Sequence, residues 1–212
     1  MGRLLHERII IKRLHEGYDI TNFGAILFAR DLSAFDRLSR KALRVIVYKG
    51  KNRVETRREK PGVKGYAIGF EGAIGFINNL LPMNEQIGQA LREEVRMYPP
   101  IAIRELVANA LIHQDFSITG AGPTVEIFED RIEITNPGKP LIDTLRFIDQ
   151  PPRSRNEDLA AFMRRINVCE ERGSGIDKVV SAVEAFQLPP PDFRSSEDNT
   201  IAILYADRPL SR

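Results

Sequence analysis

Apolar and polar residues recur along this chain with two different spacings, and each spacing predicts a different kind of secondary structure. Between 101 and 116 the apolar residues recur every three or four positions, which predicts an α-helix with one packed side. The polar residues of that segment fall on a stripe roughly 130° away around the helix. The apolar set is Ile103, Leu106, Val107, Ala110 and Leu111, and the polar stripe is Glu105, Asn109 and His113.

A second helix is predicted over 176–187, where apolar residues again return at helical spacing. Ser174 is suited to cap its first turn, and Asp177 completes a capping box. Leu188 and three prolines follow, and they end the helix.

The remaining segments predict short helices and strands in mixed order. Helices are expected over 4–15, over 67–81 and from a cap at Ser154 or Asn156 to about 166. Strands are expected over 43–49, 53–58, 123–128, 131–135, 193–195 and 200–205. Residues 83–100 are expected to form a connector, and the proline-rich stretch 136–153 a loop over a cleft. Together they predict an α/β protein, an α+β sandwich, in two parts: 1–90 and 91–212.

Composition narrows the class of protein. The chain has 212 residues, of which 42% are hydrophobic and 28% charged, so we expect a folded protein with a core. The net charge of +2 is too small to indicate a nucleic-acid-binding surface by itself. Cys169 is the only cysteine, so no internal disulfide is possible and a reducing, cytoplasmic setting is expected. No apolar run reaches the ~18 residues that a membrane span needs.

The pair Glu105 and Asn109 indicates a magnesium-nucleotide site. A carboxylate beside a bound triphosphate can orient or deprotonate water, and an amide oxygen is a neutral ligand for Mg²⁺. A helix with ordinary polar residues on its solvent side has the same spacing. The pair alone therefore does not separate the two interpretations.

Two glycine-containing motifs are compatible with the same site. Gly173, Ser174 and Gly175 open the second helix, whose first N–H groups could bind phosphate oxygens. A plain glycine turn with a serine cap is the alternative. The tripeptide 136–138, Asn-Pro-Gly, ends a strand and could place a side chain against a nucleotide base, although such tripeptides are also common turns.

The order of these motifs resembles the Bergerat-type ATP-binding fold of gyrase, MutL, histidine kinases and the large heat-shock chaperone. More closely, four stretches look like the ATP-binding module of bacterial RecG-related transcriptional regulators: 105–116, 129–138, 154–156 and 171–176. The resemblance covers about 99–205. Upstream, 18–28 and 43–50 are similar to the latter part of a Schlafen/AlbA-like domain, whose front part is expected to lie outside this chain.

The resemblance implies a role for each motif. Glu105 is implied as the base and Asn109 as the Mg²⁺ ligand, while Thr200 would lie near the nucleotide base. Asn136 stands where the well-studied ATPases have an aspartate, and a neutral amide makes a weaker, orientation-dependent contact. The remaining implied nucleotide contacts are Gly138, Gly173, Ser174 and Gly175, with His113 near the mouth of the pocket and Arg155 and Asn156 reaching phosphates from a lid. A surface or helix-end role for His113 and a capping role for Asn156 are the alternatives.

The predicted function is ATP-dependent regulation of transcription. Nucleotide and Mg²⁺ would close a lid at about 139–170 and switch the binding of DNA or a partner, with slow or absent hydrolysis and a homodimer as one possible assembly. The alternative is a nucleotide-free binding or assembly module that keeps the fold. No Walker lysine motif is present, so helicase activity is not expected. A basic run could touch nucleic acid or could be a solvated hairpin: Arg53, Arg57, Arg58, Lys60 and Lys64.

Overall fold

The computed structural model describes residues 1, 6–81, 83–87, 92–147, 153–169 and 174–206. Its α-helices are α1 Asn22–Phe28, α2 Tyr66–Leu80, α3 Pro100–Ile112, α4 Glu157–Arg165 and α5 Gly175–Ala185. Its strands are β1 Ile10–Lys12, β2 Tyr18–Ile20, β3 Arg44–Tyr48, β4 Thr56–Lys60, β5 Met83–Ile87, β6 Arg92–Arg96, β7 Thr124–Ile127, β8 Arg131–Pro137, β9 Asp192–Ser195 and β10 Asn199–Tyr205.

A six-stranded mixed sheet organises the described part of the chain, in the order β4-β3-β7-β8-β10-β9. The β3–β7 pair is parallel, and the other neighbouring pairs are antiparallel. Strands β1 and β2 form one separate hairpin, and β5 and β6 form another. The predicted fold class, a mixed α+β sandwich, is confirmed.

The main core lies between one face of this sheet and the helices. Strand residues that alternate inward, such as Val125 and Ile134, join the same apolar cluster as Ile103 and Val107 of α3. The apolar stripe predicted for α3 is therefore buried. Helix α3 also packs against α5, so the start of α5 comes close to the polar stripe of α3.

Most predicted elements are found within one or two residues, but three predictions are wrong. Residues 10–12 form strand β1 in place of the middle of a helix, because a β-branched isoleucine run there pairs with β2 beyond a turn at Gly17. The supposed connector 83–100 contains β5 and β6. Strand β8 continues through Pro137, where a loop was expected, because Pro137 lies opposite Asn199 at the end of the ladder.

The sheet contains strands from both sides of residue 90. Strands β3 and β4 precede that position, and β3 pairs directly with β7, which follows it. The division into 1–90 and 91–212 stays a prediction. Within the ranges described above, no helix combines the length and the apolar content that crossing a membrane would need.

A buried lysine holds the loop that follows α3. Lys41 is only 2% exposed, and its Nζ donates hydrogen bonds to the carbonyl oxygens of Ile118 at 2.6 Å and Ala121 at 3.1 Å. Burial lowers the pKa of Lys41, and the negative charge of Asp115 partly opposes this shift. The ammonium of Lys41 thus satisfies carbonyl oxygens of the loop after α3. It ties this loop to the segment just before β3.

Replacing Lys41 by methionine is expected to lower the free energy of unfolding by about 2–3 kcal/mol, because the carbonyl oxygens lose their donor inside the fold. Urea denaturation at pH 7 measures this change. Arg40→Met is the matched control: Arg40 is exposed, and a change of less than about 0.5 kcal/mol is expected there. Equal losses in the two variants would contradict the assigned role of Lys41.

Candidate functional site

A cavity of about 930 Å³ lies between α3, the inner face of the sheet, α4 and the start of α5. Of the residues predicted for a site, those that line it are Glu105, Asn109, His113, Asn136, Arg155, Gly175 and Thr200. Gly138, Asn156 and Ser174 are not among its lining residues, and Gly173 lies outside the described residues.

Glu105 and Asn109 meet the first residue of α5. Glu105 is 4% exposed, and its Oε2 lies 2.8 Å from the position that a Cβ at residue 175 would occupy. The Nδ2 atom of Asn109 lies 3.9 Å from the same point. Only glycine permits this approach without displacing the carboxylate. The partial positive charge at the start of α5 also favours an anion in this place.

The opposite wall contains a side-chain pair from neighbouring strands. Asn136 of β8 and Thr200 of β10 lie directly opposite each other in the ladder. Asn136 is 7% exposed, and its Nδ2 donates to the carbonyl oxygen of Pro137 at 3.3 Å. The hydroxyl of Thr200 donates to the carbonyl oxygen of Gly138 at 2.8 Å. This wall therefore offers hydrogen-bond acceptors to a ligand, namely the amide oxygen of Asn136 and the hydroxyl oxygen of Thr200.

Gly138 shapes the turn after β8 through its backbone. Its φ is +106°, in the region that favours glycine, and its N–H donates to the carbonyl oxygen of Asp198 at 2.7 Å. A Cβ here would lie 2.7 Å from the Cβ of Asp115. Residue 138 therefore sets the distance between β8 and the loop after α3.

An ion pair fixes the position of Arg155, one of the residues that line the cavity. Arg155 donates to Oδ2 of Asp115 at 2.6 Å and also to the carbonyl oxygen of Lys139. Hydrogen bonds from Ser117, with the nearby charge of Arg155 as a smaller cause, lower the pKa of Asp115. These contacts fix the guanidinium group of Arg155, which is one of the residues that line the cavity.

His113 directly follows the last residue of α3 and lies near Arg155. Burial, followed by the positive charge of Arg155, lowers the pKa of His113 to about 4. The imidazole is therefore neutral at pH 7, and it adds no positive charge to the cavity.

The side chain of Asn156 binds backbone carbonyl oxygens at the end of α3. It precedes α4, but its side chain makes no capping bond to that helix. Its Nδ2 donates to the carbonyl oxygens of Ile112 at 2.7 Å and Gln114 at 2.8 Å, so both amide hydrogens are engaged at the end of α3. A phosphate contact by Asn156 stays a prediction, and it would require these bonds to open.

Sequence reasoning missed two arginines that line the cavity, Arg153 and Arg164. Arg164 shares a helical stripe with Glu157, Ala160 and Ala161, and all of them line the cavity. The helical spacing of this stripe was visible in the sequence. Its orientation toward the cavity depends on the packing of α4.

Part of the basic run on and near β4 is engaged within the fold, although every residue of β4 is exposed. Arg53 donates to Glu126 at 2.7 and 2.8 Å and to Glu133, so its charge is used within the fold. Arg58 and Lys60 lie over the ring of Phe76, at 5.1 and 4.0 Å from its centroid. Binding of nucleic acid by this run stays a prediction.

Comparisons with known proteins agree with this architecture. Residues 120–204 match the family described as "Putative ATP-dependent DNA helicase recG C-terminal", which supports an ATPase-like module in this part of the chain. The crystal structure of the DIP2311 protein from Corynebacterium diphtheriae is similar in fold, with a TM-score of 0.74 and 21% sequence identity. The match covers 92% of this chain and 39% of that protein's chain. No match was found among curated proteins.

Proposed function

We propose that the cavity binds ATP together with Mg²⁺. The observation that carries this proposal is the convergence of Glu105 and Asn109 with the glycine that begins α5. The cavity volume of about 930 Å³ is at the upper end of the range for small-molecule sites, which suits a ligand as large as a nucleotide. The family match over 120–204 supports the same ligand.

The chain's own residues fit a triphosphate. The start of α5 offers backbone N–H groups to anionic oxygens. Arg153, Arg155 and Arg164 line the same cavity, and their positive charges would balance the negative charge of a triphosphate. A Cβ at residue 175 would narrow this part of the cavity.

The residues also fit a magnesium ion that is held mainly by its nucleotide. Among the described residues no group of three or more His, Cys, Asp and Glu side chains could hold a metal. Mg²⁺ usually keeps several waters and shares phosphate oxygens, so it would need few protein ligands, and the amide oxygen of Asn109 would be one of them. When bound, the ion would neutralise charge on the phosphates.

Glu105 is proposed as the general base for a slow hydrolysis. Its carboxylate would orient a water molecule toward the terminal phosphate and accept the proton that the water loses, while the water oxygen bonds to the terminal phosphorus and ADP leaves. Asn136 and Thr200 would accept hydrogen bonds from the nucleotide base at the other end of the cavity. Because the amide of Asn136 is neutral, we expect weaker binding than a carboxylate at this position would give.

As part of this proposal, ATP binding switches the binding of DNA or a protein partner, as in a transcriptional regulator. Its support is the likeness of the sequence motifs to those of RecG-related regulators, while the family match supports only the nucleotide-binding part. The segment 139–170 would act as the lid, because Arg155 and α4 within it form a wall of the cavity, whereas 148–152 and 170 lie outside the described residues. A homodimer is one assembly in which such a switch could operate.

Thermal unfolding tests the nucleotide proposal. At about 100 times its dissociation constant, Mg-ATP is expected to add about 2.7 kcal/mol to the free energy of unfolding. For a chain of this size the midpoint should rise by roughly 5–10 °C. Asn109→Ala is expected to reduce the part of this rise that depends on Mg²⁺, whereas Asn79→Ala, an exposed position on α2, should leave it unchanged.

The rival proposal is a binding or assembly module that keeps the fold without a nucleotide. The neutral Asn136 in the wall favours it, because the carboxylate of the well-studied ATPases is replaced there. A midpoint that stays constant at millimolar Mg-ATP would support this rival and contradict the nucleotide proposal.

A further inference from the structure

Helix α4 presents two different faces to the rest of the molecule. One stripe, Glu157, Ala160, Ala161 and Arg164, lines the cavity. Leu159 and Met163 point into the core and are 3% and 0% exposed. The helix is therefore anchored by its buried side, with the cavity on one flank.

The other flank of α4 contacts the N-terminal segment through aromatic rings. The ring of Phe162 lies edge-to-face against Phe28, with centroids 5.5 Å apart and an interplanar angle of 88°. It lies in the same way against Phe23, at 6.3 Å and 87°. Both partners belong to α1, so α1 and α4 share an aromatic contact.

Charged contacts extend this interface. Arg165 donates to both carboxylate oxygens of Glu7, one of them at 2.7 Å, and its guanidinium also lies over the ring of Phe162. The Glu7 side chain is 15% exposed, so this two-bond pair is partly shielded from water. Arg8 approaches Asp158 at 3.8 Å between two highly exposed side chains, which makes that pair much weaker. We name Glu7, Phe23 and Phe28 the N-terminal clamp.

We propose that the N-terminal clamp sets the position of α4 and thereby regulates access to the cavity on the other side of that helix. A helix of two and a half turns moves as one body, so a displacement at Phe162 and Arg165 is transmitted to Ala161 and Arg164. The identity of the ligand rests on the proposed function. The mechanical coupling rests only on the contacts of α4.

The chain carries its own probe for this coupling. Cys169 is the only cysteine of the sequence, is half-buried and lines the cavity shortly after α4. Its rate of modification by a thiol reagent such as 5,5′-dithiobis(2-nitrobenzoic acid) therefore reports how open this wall is. The readout needs neither nucleotide nor catalytic activity.

The experiment compares the labelling rate of Cys169 in the unchanged protein, in Glu7→Gln and in Phe162→Leu. Loss of the clamp contacts is expected to raise the rate by about threefold to tenfold. Arg13→Gln is the matched control, because it removes an exposed ion pair with Asp19 inside the β1–β2 hairpin without touching α4. Circular dichroism confirms that each variant is folded, and Glu7→Gln decides the outcome if Phe162→Leu is not.

Unchanged labelling in Glu7→Gln and in folded Phe162→Leu would overturn the coupling, as would an equal increase in Arg13→Gln. A second arm adds Mg-ATP to the unchanged protein. Protection of Cys169 supports the proposed ligand, and nucleotide affinity should then fall in Glu7→Gln and in Phe162→Leu. If Mg-ATP gives no protection while the clamp variants still label faster, the nucleotide proposal fails and the coupling stands.

Discussion

Glu105→Gln is expected to lower ATP hydrolysis by at least about 100-fold while the affinity for Mg-ATP stays within about threefold. The amide keeps nearly the same shape beside Gly175, where the Oε2 atom of Glu105 lies 2.8 Å from the position of an added Cβ. It cannot accept a proton from water, however. The change therefore separates the proposed chemical role from simple packing.

Turnover is measured under single-turnover conditions with the protein in excess, because the proposed hydrolysis is slow, and affinity is measured separately by calorimetry. Glu157→Gln is the matched control: it removes a carboxylate from the same cavity, but on the exposed first turn of α4. A loss confined to Glu105→Gln supports its role as the base. Equal turnover in Glu105→Gln and the unchanged protein would reject that role.

The free energy of unfolding is expected to fall by up to about 3 kcal/mol between pH 7 and pH 4 because of His113 alone. Burial and the charge of Arg155 lower the pKa of His113 in the folded protein to about 4, from an ordinary value of 6.5. Between these two values the unfolded chain binds a proton that the folded protein does not. Acid therefore favours unfolding, and the stabilisation is fully present only above pH 6.5.

Urea denaturation at several pH values between 7 and 4 measures this effect in the unchanged protein and in His113→Gln. The variant is expected to lose much of the dependence on pH in this window, while His15→Gln, at an exposed position, should retain it. Asp115, whose pKa is lowered, adds a further loss at the acid end of the range in all of these proteins. If the free energy of unfolding changes with pH by the same amount with and without His113, then His113 is not the cause of the pH dependence.

The sequence by itself determined the elements whose signals are local. Helices α3 and α5 were predictable because their apolar residues repeat at helical spacing, and β7, β8 and β10 because short apolar runs are bounded by turn residues. The helical repeat also places Glu105 and Asn109 on one side of α3 before any packing is known.

Features that depend on which strand lies alongside were predicted poorly. Residues 10–12 form a strand because β2 lies alongside, and β8 gains its last two residues because β10 continues opposite Asn136 and Pro137. The parallel pairing of β3 with β7 joins residues about 80 positions apart, which no local pattern contains.

Only the tertiary structure decided what the polar stripe of α3 faces. The packing of α5 against α3 brings Gly175 to Glu105 and Asn109, and the ion pair with Asp115 fixes Arg155 in the wall of the same cavity. Periodicity specifies the direction of a side chain relative to its own helix. What the side chain meets depends on how separate elements bury their apolar surfaces together, and that is a property of the whole fold.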